Sequence, residues 1–124
     1  MPIALAIALG GAVGAVGRYA IDSLIERHTE SVFPWATFTI NMTGCLAVGF
    51  LIAALVDRHR APAWLRAGLV VGFCGGYTTY STFAQETLDL TEGRHVGVAA
   101  ATVGASIALG LVAVYVGARL GRLS

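Results

Sequence analysis

Gly72-Phe73-Cys74-Gly75-Gly76-Tyr77-Thr78-Thr79-Tyr80-Ser81-Thr82-Phe83 is the stretch on which the reading of this chain turns. It lies inside an apolar segment, yet it is not composed like an apolar helix. Gly75-Gly76 is the poorest helix-forming pair short of proline. Thr78, Thr79, Ser81 and Thr82 follow, interleaved with Tyr77, Tyr80 and Phe83. In water this composition reads as a loop. At bilayer depth, non-helical backbone survives only where it is buried in protein or lines a water-filled path. Half-helices that meet at a break aim their terminal dipoles and carbonyls at whatever lies between them, which is a common way to build an ion site. The stretch therefore predicts a membrane helix broken at Gly75-Gly76, with an ion-handling site at the break.

The rest of the chain agrees with a membrane setting. Its 124 residues are 56% apolar and only 12% charged, against about 25% charged in an ordinary soluble domain, and mean hydropathy is +0.75. The net charge of +1 excludes a nucleic-acid binder that works through a basic face. A spanning helix needs about 20 mainly apolar residues. Segments at roughly 3–25, 33–56, 63–90 and 96–118 qualify, the third being the broken one. The first lacks the basic head and cleavage site of a signal peptide and is expected to be retained. The connections are short and carry the charges, including Asp57, Arg58, His59 and Arg60. Residues 1–124 are thus expected to form a single all-α integral membrane domain of four transmembrane helices. Cys45 and Cys74 fall in apolar segments and read as small buried thiols.

Small residues recur four apart, as Gly10 with Gly14, Gly68 with Gly72, and Gly72 with Gly76. Such pairs let helix backbones approach closely in lipid. Orientation follows from arginines near the helix ends. Arg58, Arg60, Arg66, Arg119 and Arg122 lie on one side of a four-span chain, and Arg27 and Arg94 on the other. This modest bias favours both termini in the cytoplasm and is compatible with insertion in both orientations.

Several side chains are candidates for chemistry. Arg18 lies inside the first span, where a charge either serves function, pairs, or snorkels to the interface; Asp22 is one turn away. Asn41 is the one amide of the second span, able to donate to an anion without trapping it, or to bond between helices. Tyr80 and Phe83, three apart, project from one helix face, and their positive ring edges suit a small anion. Glu86 follows near the end of the third span. Thr102 and Ser106 share a face of the fourth, where hydroxyls commonly bond back to the preceding turn. Arg18, Glu86, Thr102 and Ser106 are the candidates for a vestibule or polar track. There is no nucleophile–base set, phosphate-cradling loop or metal-ligand cluster in the sequence, and His28, His59 and His95 stand alone in loops. An enzyme is not expected.

Together these motifs resemble the Fluc (CrcB) fluoride channels. The likeness rests on Gly11-xx-Gly14-Ala15-xx-Arg18-Tyr19, on Asn41-xx-Gly44, and above all on the run from Gly72 to Phe83, and it covers the whole chain. It implies an antiparallel dual-topology homodimer with two pores in the bacterial inner membrane. Fluoride that entered acid cells as HF would leave passively as F⁻. It also implies a structural Na⁺ at the dimer centre, held by backbone carbonyls of Gly75 and Thr78. Tyr80 and Phe83 would line the fluoride path with Asn41 close by, Ser81 and Thr82 adding hydroxyls and Glu86 lying toward its end. The chain departs from the family at Tyr80, where Phe is usual. That phenol either bonds a Thr or Ser neighbour or donates to fluoride in transit. The alternative reading is a small dual-topology exporter of cations or drugs coupled to protons. Such a machine needs an ionisable acid well inside a span, and only Glu86 and Asp22, both near span ends, are offered.

Overall fold

The computed structural model describes residues 1–58 and 60–124; His59, read above as a loop histidine, lies outside them. The described residues form helices α1 (Ile3–His28), α2 (Trp35–Leu51), α3 (Ala63–Ala67), α4 (Gly75–Tyr77), α5 (Tyr80–Glu92) and α6 (Val96–Leu123). A π-helical turn, Ile52–Val56, extends α2, and a π-helical stretch, Gly68–Cys74, joins α3 to α4. The first, second and fourth spans are each long and apolar enough to cross a bilayer. The third is the sum of α3, the π stretch, α4 and α5, and α5 alone, with 13 residues, reaches only about 20 Å at 1.5 Å per residue. The protein is a multi-pass membrane protein.

The spans pack in two pairs. In the first, α1 lies along the upstream half of the third span, backbone to backbone. A Cβ on Gly72 would stand 2.6 Å from the carbonyl oxygen of Ile7, and one on Gly76 equally close to that of Gly11. In the second pair Gly49, Gly117 and Gly121 bring α2 and α6 together in the same way, Gly117 against Leu46 and Phe50, Gly121 against Phe50 and Ala54. Residue numbers rise together along both seams, so each pair is parallel, as alternating spans require. The four-apart glycines of the first and third spans are therefore contact residues. At one end of the molecule Arg58 donates from Nη1 to the Ser124 carbonyl at 2.6 Å and from Nη2 to that of Arg122, while Arg60 donates to Ser124 at 3.1 Å. The second connection and the end of α6 thus share a side.

The break in the third span is not where the glycine pair suggested. Gly75 has helical dihedrals (φ −65°, ψ −36°), and Gly75–Tyr77 is a helical turn. The chain leaves the helix at Thr78 (φ −80°, ψ 160°) and Thr79 (φ −146°, ψ 119°). The correction has a physical reason: Gly76 is small because it touches Gly11, whereas the extended residues are those whose freed backbone finds another partner.

Candidate ion site at the break in the third span

That partner is Asn41 on α2. Its side-chain amide donates from Nδ2 to the Thr79 carbonyl at 3.0 Å and accepts from the Thr79 N–H at 2.9 Å. One amide so replaces a neighbouring strand, satisfying both backbone groups of Thr79, each of which would cost several kcal/mol if left bare in hydrocarbon. Thr79 does the rest locally. Its hydroxyl accepts from the Thr82 N–H at 3.2 Å and so caps α5, the favoured task of a Thr at that position. Thr78 turns both its N–H and its hydroxyl back to the Cys74 carbonyl, each at 3.0 Å. Gly44 on α2 leaves room for the Thr78 methyl, which a Cβ there would overlap.

Upstream of the break, Arg18 donates from Nε to the Gly76 carbonyl at 3.4 Å. Its cation therefore lies at the C-terminal end of a helical segment, where the backbone dipole favours positive charge, and it is spent there rather than in a bond to Asp22. Tyr77 stacks on Phe73, with ring centroids 5.8 Å apart and 5° between planes. Its hydroxyl lies 2.8 Å from that of Thr43.

A groove of about 470 Å³ runs beside the break, and Asn41, Gly75, Thr78, Tyr80, Phe83 and Ser106 all reach it. Its remaining lining is largely aliphatic, from α2, the π stretch and α6. Tyr80 and Phe83 lie side by side with centroids 6.1 Å apart and planes tilted by 49°. Tyr80 is 80% exposed, and its hydroxyl has no hydrogen bond among the described residues. The anticipated alternative of a bond to a Thr or Ser neighbour is not realised within the chain. Ser81 and Thr82 are exposed on α5 and do not line the groove.

The other candidates lie elsewhere. Glu86 accepts from the Thr37 hydroxyl at 2.6 Å through Oε1, and its Oε2 is buried without a partner among the described residues. It lines a second, more polar cavity with Glu26 and Asp89. Thr102 is 1% exposed and its hydroxyl is also unpartnered, so the back-bond expected of a membrane Thr is not made. Thr37 was missed as a site residue. The signal for it was its place four residues before Asn41, so that both face the third span. Tyr77 belongs to the central run of the third span, and Thr43 lies between Asn41 and Gly44; neither was singled out from sequence.

The oxygens free at the break are of the kind that suits a hard cation. The carbonyls of Gly75 and Thr78 have no hydrogen-bond partner among the described residues, because Thr79 N–H goes to Asn41 and Thr82 N–H to the Thr79 hydroxyl. Carbonyl oxygens are hard ligands. Around Gly75 nothing lies within 4 Å of where a Cβ would be, so its surroundings are open.

Comparisons with known proteins bear on the family of the chain. The family model described as "CrcB-like protein, Camphor Resistance (CrcB)" matches residues 5–118. The chain is 43% identical, over 94% of its length and 93% of the relative's, to the "Fluoride-specific ion channel FluC" of Acidobacterium capsulatum. It is 44% identical to the "Fluoride-specific ion channel FluC 1" of Moorella thermoacetica, over 96% of this chain and 85% of that one. With the protein of the same name from Streptomyces avermitilis the identity is 45%, over 91% and 90%. By the extent of the family match and of these identities, the chain belongs to the CrcB family.

Proposed function

We propose that this protein is a fluoride channel of the bacterial inner membrane, acting as an antiparallel dual-topology homodimer with two pores. The observation that carries the proposal is the groove shared by Asn41, Tyr80 and Phe83 at the break, in a chain whose relatives are named fluoride-specific ion channels. Those relatives carry channel names rather than enzyme names, and none of them supports the exporter alternative. Fluoride is small and strongly hydrated, so a path for it must replace water with donors that bind without trapping. Neutral groups meet that need. An amide has two N–H bonds; Asn41 spends one on Thr79 and keeps the other for an anion. The Phe83 and Tyr80 ring edges and the Tyr80 phenol extend the donor row, and Ser81 and Thr82 offer exposed hydroxyls along α5. Arg18 supplies positive potential close to the break. Ser106 continues the groove, Thr102 lies on the same helix one turn before it, and Glu86 marks the far end of α5.

Na⁺ at the dimer centre is the remaining part of the reading, held by the Gly75 and Thr78 carbonyls of both copies. Bound there, it would supply a fixed positive charge and close the exposed ends of the break. The arginines near the helix ends, five on one side against two on the other, favour both termini in the cytoplasm and are compatible with insertion in both orientations. Liposomes loaded with fluoride and holding the purified protein test the function directly. A fluoride electrode is expected to record release with no proton gradient, while chloride is retained. Fluoride that stays inside, or release that stops when a proton gradient is collapsed, would overturn the channel reading.

A further inference from the structure

The break is gripped by α2 on both sides, and the second grip belongs to this chain's own tyrosine. Thr43 Oγ1 lies 2.8 Å from the Thr39 carbonyl, 3.1 Å from that of Ile40 and 2.8 Å from the Tyr77 hydroxyl. A hydroxyl has one proton, and carbonyls only accept, so Thr43 keeps a bond to the backbone of its own helix and the bond to Tyr77 together only with the phenol donating; with Thr43 donating to the phenol oxygen, the Tyr77–Thr43 bond is made all the same. This is the one hydrogen bond that joins α4 to α2 among the described residues. Its place is informative. Gly75 and Gly76 precede Tyr77 and have no side chain with which to hold α2, while Gly11 and Arg18 of α1 hold Gly76. Stacking on Phe73 fixes the plane of the Tyr77 ring, so the phenol meets Thr43 without a free rotor to order.

Asn41 fixes Thr79, and Thr43, two residues further along α2, fixes Tyr77. Between these two points lies the unpartnered carbonyl of Thr78, and that of Gly75 lies two residues before Tyr77. We propose that the Tyr77–Thr43 hydrogen bond is a positioning latch that holds those carbonyls in register and so sets how tightly the break binds Na⁺. The inference rests on the sodium part of the reading above and not on the identity of the permeating anion. Tyr77 and Thr43 are positioning residues, because the phenol is committed to Thr43 and acts on the ion only through the backbone.

The test uses a readout that needs no fluoride. The thermal unfolding midpoint of the detergent-purified protein is followed as Na⁺ replaces N-methylglucamine. In Tyr77→Phe and in Thr43→Val the Na⁺ concentration giving half the rise in midpoint is expected to increase about three- to ten-fold, the loss of one hydrogen bond. Combining the two should add nothing, and Thr43→Ser, which keeps the hydroxyl, should behave as the parent. Fluoride efflux at graded Na⁺ should shift in parallel and recover when Na⁺ is saturating. An unchanged Na⁺ response in Tyr77→Phe, or additive shifts in the double variant, overturns the latch alone. A parent indifferent to Na⁺ overturns the sodium reading and the latch with it. A parent that responds to Na⁺ but passes no fluoride is a failure of the anion reading, and it leaves the latch to be decided by the midpoints.

Discussion

The two halves of the third span are held by opposite means. Upstream of Thr78, Gly68, Gly72 and Cys74 are buried and the helix lies backbone to backbone against α1. Downstream, α5 has no buried residue at all. It packs beside α6, and two polar clasps reach it and its cap from one face of α2, Asn41 on the backbone of Thr79 and Thr37 on Glu86. Close packing of small residues fixes a position and leaves nothing exposed to do chemistry. Polar clasps fix a position while leaving ring edges, hydroxyls and carbonyls free. The candidate site lies where the first mode gives way to the second.

Removing the main clasp should have the largest effect. Asn41→Asp still accepts from the Thr79 N–H but cannot donate to its carbonyl, and it places a fixed charge beside the anion path. At about 4 Å and an effective dielectric near 20 such a charge costs a passing anion ~4 kcal/mol, about a thousand-fold in rate. Fluoride efflux is expected to fall below detection while gel filtration still shows a folded protein. Normal conduction would reduce Asn41 to a packing residue.

A smaller effect separates the paired glycines. A Cβ on Gly76 would press on the Gly11 carbonyl, whereas one on Gly75 meets nothing within 4 Å. Gly76→Ala should therefore lose about 1–3 kcal/mol through overpacking. Gly75→Ala should be neutral or gain up to ~1 kcal/mol in helix propensity. Thermal midpoints read both, and equal responses would undo the assignment of Gly76 to the close contact with α1 that holds the upstream half. The smallest effect belongs to Tyr80→Phe. No hydrogen bond among the described residues is lost, so stability should hold within ~0.5 kcal/mol. Efflux should change by a factor of about two to five, since conduction needs binding neither too weak nor too strong. A change beyond about ten-fold would make the phenol a principal anion donor on the path.

The four spans were legible because each needs a long apolar run, and that signal is local. The glycine contacts were legible as a spacing, though not their partners. The position of the break was misread by a few residues. Helix propensity pointed to Gly75-Gly76, but propensity is a weak prior beside tertiary contact, and the glycines serve α1 while remaining helical. What places the break is an amide 38 residues away in the chain, and no local pattern encodes that. Thr37 and Glu86 are likewise joined across 49 residues. The groove residues Asn41, Tyr80 and Phe83 were found from residue chemistry and family likeness together. Their shared wall became visible only with Asn41 of α2 bonded to Thr79 at the start of α5.

The parallel pairing of the spans bears on how the chain is assembled. α1 has its glycine seam on the third span, and α2 has its own on the fourth, so neither close-packed pair consists of neighbours in the chain. As the spans enter the bilayer one after another, the seam of α1 faces lipid until the third has been delivered, and that of α2 waits for the last. The polar break arrives between these two events. Its Thr79 backbone can be satisfied at once, because Asn41 is already in the membrane when Thr79 enters.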